Sequence, residues 1–244
     1  MTHGLQIRMM VIGLFILVLV TPPDVSAEFY ADLYTGAVFT KNTDFTIGST
    51  LGSTATYQNL QVNNSWTAGG RGGYWLDRMD WLGFGLDVFF LHVKAPSQLV
   101  SSTFTGLGAT STTLAPADFH LPVIGIGFDV LRLRAPLFRS EEFTHGRLQP
   151  YLSAGPALFV TWAETPWNIV QPKGQHDADV ALGAKAEGGV TFLLTKTVGL
   201  FTEYRFTHFT SKLNYQNNTI SPATDTYTTK WDSHQVIGGI SFRF

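Results

Sequence analysis

The chain has 244 residues, no cysteine, 24 glycines and a formal net charge of -2, with 14% of residues charged and 14% aromatic. That balance excludes disulfides, thiolate zinc sites and thiol nucleophiles, and it gives nucleic acid no footing. Without an internal linker or charge run, the length reads as one large domain.

The first element is a leader. Arg8 precedes the apolar run "MMVIGLFILVLV", residues 9–20, which is shorter than the ~20 residues of a spanning helix. Pro22 and Pro23 break the run, and Val25 and Ala27 place small residues just ahead of a cleavage point before Glu28. Residues 1–27 are therefore expected to be a cleaved signal peptide and residues 28–244 one exported domain.

Beyond residue 28 the pattern is period two. Eight segments alternate: 29–39, 66–76, 81–92, 119–132, 148–163, 178–193, 198–209 and 233–244. Each reaches the ~9 to 11 residues with which a tilted strand crosses a bilayer. Their connections alternate in length, with residues 77–80 and 194–197 predicted as tight turns and 40–65, 93–118 and 210–230 as long polar loops. The connection "RAPLFRSEEFTHG" is long for a turn.

Charge parity orients the strands. In the sixth segment Val180, Leu182, Ala184, Ala186, Val190 and Phe192 share one parity, and Asp179, Lys185 and Glu187 the other. Glu203 and Arg205 repeat this against Leu200, Tyr204 and Phe206, and Asp32, Arg71, Asp87, Asp129 and Arg243 also oppose the aliphatic parity of their segments. A slip of one residue would exchange the faces. Arg132 and Arg134 break the rule and are expected at the periplasmic interface. A soluble sandwich or lipocalin-like barrel alternates as well, with its apolar face inward. Aromatics at segment ends (Trp66, Tyr74, Trp75, Trp81, Phe90, Trp162, Phe192, Trp231) favour lipid outside, as interfacial girdles. The small residues of "TAGGRGGY" and "GIGFD" suit a crowded lumen.

The closing residues "GGISFRF", with Gly239, Phe242 and Phe244, resemble the C-terminal signature by which bacterial outer-membrane barrels are recognised by their assembly machinery. The layout of residues 28–244 is similar to the small OmpA-type and opacity-type barrel domains, with "EYRFTH" in the seventh segment. The resemblance implies an all-β fold, an eight-stranded antiparallel transmembrane β-barrel with short periplasmic turns and long extracellular loops. It places the protein in a Gram-negative outer membrane, among lipid and lipopolysaccharide, with the barrel assembly machinery as a partner. It implies no activity.

An eight-stranded interior is wide enough only for side chains. Nine of the inward charges, Asp32, Arg71, Asp87, Asp129, Lys185, Glu187, Glu203, Arg205 and Arg243, four basic and five acidic, are thus expected to form an ion-pair core that fills the lumen, with a conduction path as the sharper alternative. Strand register sets Arg71 opposite Asp87 and Glu187 opposite Arg205. His208 and Thr210, on the lipid-facing parity, faintly resemble the His-x-Ser arrangement of outer-membrane lipid A deacylases, in which a His base activates a hydroxyl. Asp225 and Asp232 are within reach in sequence to orient that His. His92, His120 and His234 also fall near the outer strand ends and lack metal-ligand spacing. No cofactor is expected. The leading expectation is a structural or surface-interaction barrel, with loops 40–65, 93–118 and 210–230 available to an extracellular ligand. A narrow channel for small or apolar solutes comes second and an acyl hydrolase using His208 third.

Overall fold

The computed structural model describes residues 28–106, 108–164, 176–217 and 223–244, so the expected leader lies outside the described residues. In chain order the strands are β1 (Glu28–Thr40), β2 (Thr43–Ser49), β3 (Thr54–Leu60), β4 (Ser65–Trp75), β5 (Leu82–Gly106), β6 (Ala109–Arg134), β7 (Leu148–Glu164), β8 (His176–Leu193), β9 (Val198–Asn217) and β10 (Ala223–Arg243). Eight of these, β1 and β4 to β10, pair in antiparallel succession. β1 pairs back onto β10, from Tyr30↔Arg243 to Thr40↔Ser233, and closes a ring. Closure leaves no free edge at that level. All eight segments expected from periodicity fall inside this ring, and residues 77–80 and 194–197 are turns.

The two remaining strands occupy what reads in sequence as a polar loop. β2 pairs with β10 over Asp225–Thr229, and β3 pairs with β5 over Ser102–Thr105. The β2–β3 hairpin thus stands above β1 and β4 and continues the wall. β5 and β6 likewise run on, paired as far as Gly106↔Ala109, where a second loop was expected. Their Thr/Ser/Gly composition suggests turns, but the period is that of a strand: Phe45, Tyr57 and Tyr227 are buried inside, and Thr46, Thr56 and Thr228 face out.

Along each tall strand the polarity of the alternation inverts. On β10 the lower part has Ile240 and Val236 outside and Arg243 and Ser241 inside. The upper part has Lys230 and Thr228 outside and Trp231 and Tyr227 inside. A face buries what its surroundings reject, so the medium outside the barrel changes from apolar to aqueous at the level of the His208↔Asp232 pair. β5 has 25 residues, well over the ~9 to 11 a crossing needs. The surplus rises beyond the apolar band.

One irregularity reaches the interior. β6 and β7 pair at Gly127↔Ala157 and resume at Leu131↔Ala154, so β6 carries one extra residue over 128–130. The facing residues of β7 are Gly155 and Pro156, and proline, which has no N–H to donate, is tolerated at such a bulge. The bulge reverses side-chain parity, and Arg132 and Arg134 turn inward to be buried, contrary to the interfacial position expected of them. The long connection 135–147 is no tight turn. It folds under the mouth, with an isolated bridge Leu137↔Leu148 and an Arg139 Nη2–Asp80 Oδ2 pair at 2.7 Å.

Candidate functional site

The lumen is the first candidate. All nine charges expected in the ion-pair core are buried there, each at most 5% exposed, while Asp179, of the same parity, is only half-buried near the upper end of β8. Arg71 on β4 reaches the far wall, with Nη1 2.7 Å from Glu187 Oε2 on β8 and 2.8 Å from Glu203 Oε2 on β9, while Nη2 meets Asp32 Oδ2 at 3.0 Å. Lys185 Nζ lies 2.8 Å from oxygens of Asp87, Asp129 and Glu187. Arg205 joins Asp87 at 2.8 Å and Glu187 at 2.9 Å, and donates through Nη1 to Tyr34 Oη at 3.1 Å. Tyr34 in turn donates to Asp87, Tyr151 donates to Glu203 at 2.7 Å, and Ser241 donates to Asp32 at 2.5 Å. A buried charge is tolerable when paired and hydrogen-bonded on this scale.

Register expectations met the structure unevenly. Arg71 does stand opposite Asp87, and Glu187 opposite Arg205. Glu187 and Arg205 touch, whereas Arg71 and Asp87 each turn to the opposite wall. Arg71 meets Asp32, opposite it on β1, along its own wall and gives Nη1 to Glu187 and Glu203 across the lumen, which leaves Asp87 to Lys185 and Arg205. Arg132 adds contacts to Asp129 at 3.2 Å and Glu187 at 3.5 Å, and its guanidinium lies 4.4 Å from the Tyr151 ring centroid. Arg134 holds Glu28 at 2.5 Å, and Arg243 holds it at 3.5 Å. With Arg132, Arg134 and Glu28 included, six basic groups face six acidic ones.

Above this layer the interior is aromatic. Phe159 stacks on Phe209 at 4.1 Å between centroids, Phe89 meets Phe159 edge-on at 6.0 Å, and Trp231 lies 6.5 Å from Phe209. Trp75 and Trp231, expected in the girdles, are 2% exposed inside the barrel, whereas Trp66, Trp81 and Trp162 do face outward. Glycine makes the room. A Cβ on Gly125 would collide with the Phe89 ring, and one on Gly127 would sit 2.7 Å from Cε of Lys185. Gly239 has the same kind of role, since a Cβ there would meet the Leu33 carbonyl, Phe201 and Tyr34, while Phe244 points outward. Phe242, also in β10, pairs with Ala31.

The histidines lie outside. His208 Nδ1 is 2.5 Å from Asp232 Oδ1 across β9 and β10, and Thr210 follows two residues later on the same face. His234 Nδ1 is 2.5 Å from Tyr204 Oη, and His92 meets His120 edge-on at 4.1 Å. Among the described residues no group of three metal-ligating side chains assembles.

Sequence reasoning missed the upper wall's outer face. Cross-strand pairing lines up Lys212, Thr228, Thr46, Thr56, Thr103 and Thr112 in one rung. Two residues higher, Asn214, Thr226, Gly48, Thr54, Thr105 and Thr110 form a second. The signal was present as repeated T-x-T triplets at 54–56, 103–105, 110–112 and 226–228. Beneath the rungs, where β1 passes into β2, a concavity of about 440 Å³ is bounded by Lys41, Thr43, Asp44, Thr228, Lys230 and Asp232 among others. On its inner side Phe45 packs between Tyr57 and Tyr227, at 6.1 and 5.6 Å between centroids, and burial pushes the Tyr227 phenol up to about 12.

No protein-family model and no curated protein matches the chain. Among solved structures it is similar to the outer membrane protein OprG from Pseudomonas aeruginosa, at 14% identity and a TM-score of 0.54, over 90% of this chain and 97% of that one. Neisserial surface protein A aligns at 16% identity and a TM-score of 0.44, over 89% and 97%. The likeness to OprG, together with the closed ring and its apolar exterior, gives this chain the fold of the eight-stranded outer-membrane β-barrels.

Proposed function

We propose that the protein is an integral barrel of a Gram-negative outer membrane with a structural or surface-interaction role. The observation that carries this reading is a lumen filled twice over, by the ion-pair layer around Arg71 and by the aromatic layer around Phe159. A barrel so filled holds its shape and lifts its long strands above the bilayer, with the turns at 77–80 and 194–197 in the periplasm. In this reading residues 1–27 direct export, Gly239, Phe242 and Phe244 serve recognition by the barrel assembly machinery, and the upper wall is offered to surface partners. Planar-bilayer recording tests it. The refolded protein is expected to give no stable conductance step above the lipid baseline, and reproducible open levels would favour a narrow channel for small or apolar solutes instead.

A second reading has one specific observation in its favour. The carboxylate of Asp232 holds His208 by Nδ1 on the outward face, with Nε2 outside that contact and Thr210 two residues on along the same face. That is the orienting half of a base–hydroxyl pair, suited to attack on an acyl ester. Acyl release from lipid A that disappears in His208→Ala would establish it; on the leading reading neither protein releases acyl chains.

A further inference from the structure

The ring that closes within the apolar band does not extend to the top of the wall. β6 and β7 pair only as far as Val123↔Thr161. Pro122 is next in line and has no N–H to give. Above that point β7 stays with β8, as far as Glu164↔His176, and β6 stays with β5, as far as Gly106↔Ala109. Among the described residues, β6 over 109–122 therefore has a partner on one side alone. It is an edge strand, and an edge presents a row of unpaired N–H and C=O groups.

The prolines identify those groups. A proline keeps its place in a ladder where its missing N–H faces away from the paired strand. Pro116 is paired with Leu99, and Pro122 with His92, in the β5 ladder. Every second residue of a strand points its N–H and C=O the same way, so the backbone groups of Thr110, Thr112 and Leu114 also turn from β5 to the open side. The lower part of the edge is guarded by Pro116, Asp118 and Pro122. The upper part, residues 109–115, reads "ATSTTLA" and has neither proline nor charge, two of the devices by which proteins blunt an edge. It offers ~20 Å of extended backbone. An apolar pair stands beside it, further up the β5–β6 hairpin than Lys94 and His120: Leu114 is 74% exposed and Leu99 69%.

We infer that the β6 edge at 109–115 takes up an extended, uncharged segment of an extracellular protein as an added strand, with an apolar residue of that segment against Leu114. The inference rests on the surface-interaction reading and adds to it the chemistry of the partner. An extended chain is the complement of an unpaired row of N–H and C=O groups, so the backbone supplies the affinity, and the charge-free edge sets the class of sequence. A second copy in the same membrane does not fit. Barrel strands tilt ~35 to 45° from the membrane normal, and a two-fold axis along that normal inclines the copy's β6 the other way, so the two edges cross instead of running side by side.

The test uses the whole barrel in phosphatidylcholine nanodiscs and a fluorescein-labelled synthetic peptide, LVSSTFTG. This is the sequence of residues 99–106, the strand that β6 already accepts on its other side. Insertion is first checked by strand circular dichroism and heat-modified mobility, and failure at that step would overturn the membrane reading and the inference with it. By anisotropy the peptide is expected to bind wild type, and to bind at least about tenfold more weakly when every peptide nitrogen is methylated, which keeps the side chains and removes the donors. Thr112→Pro should cause a comparable loss at unchanged heat-modified mobility, because it repeats the placement of Pro116. Leu114→Lys, which leaves the ladder intact, should weaken binding as well, whereas Thr46→Ala on β2 should not. With a cysteine-tipped peptide, oxidation should trap the Leu114→Cys variant and spare Thr46→Cys. No binding to wild type, equal binding of the methylated peptide, or undiminished binding to Thr112→Pro or Leu114→Lys would overturn the inference. Self-association of the barrel that Thr112→Pro abolishes would give the edge to a second copy and overturn it too.

Discussion

At the scale of residues, the lumen behaves as a network, and substitutions should show it. Arg205 touches Asp87, Glu187 and Glu203, so Arg205→Leu takes one cation from three buried carboxylates, which keep Lys185 or Arg71, and is expected to cost ~3 to 5 kcal/mol. Glu187→Leu should cost a similar amount, and the double variant less than the sum, in urea unfolding of the refolded barrel. Strict additivity would contradict the 2.9 Å contact. Gly127→Leu should destabilise by overpacking, by ~1 to 3 kcal/mol, because the stem of Lys185 already fills the space. Nine of these charges were legible from parity alone, since one slip of register would have thrown all of a strand's charges to the lipid side. Arg132 and Arg134 were not. Parity counts residues, and it fails silently across a bulge, although the consecutive apolar pair Val130 and Leu131 is a trace of it.

At the scale of elements, the bulge in β6 and the hairpin β2–β3 make separate predictions. Deleting Val130 would restore a regular ladder in which Leu131 follows Asp129 on the outward face and Arg132 and Arg134 still point inward. Their contacts to Asp129 and Glu28 would be kept, and the chain is expected to retain its heat-modified folded form on gels. The hairpin is bonded into the wall on both sides, so surface protease on intact cells should cut at its tip, residues 50–53, and spare β2 and β3. Cleavage confined to residues 194–197 would invert the topology. Transmembrane strands were readable because hydrocarbon outside and charge inside give strong contrast. The upper strands were read as loops because threonine and glycine, common in turns, also suit the watery face of a strand.

At the scale of the whole molecule, six positive and six negative lumen groups make a neutral plug that bulk ions reach poorly. Raising salt from about 0.1 M to about 1 M should therefore leave the urea midpoint nearly unchanged, since burial protects ion pairs from screening. A marked drop would mean that the lumen is open to electrolyte. The β1–β10 seam has a consequence in time. Seven ladders join strands that are near neighbours in the chain, but this one brings Phe29 to Phe244, bonded both ways at 3.1 and 2.9 Å. Contacts so distant along the chain are slow to form. Asp32 takes the Ser241 hydroxyl across the same seam, so the polar core is completed only when the two ends meet. A chain without native cysteine allows the order of events to be caught directly. Paired cysteines at Ala37 and Val236, across the seam, are expected to oxidise during refolding later than a pair at Ala186 and Phe206.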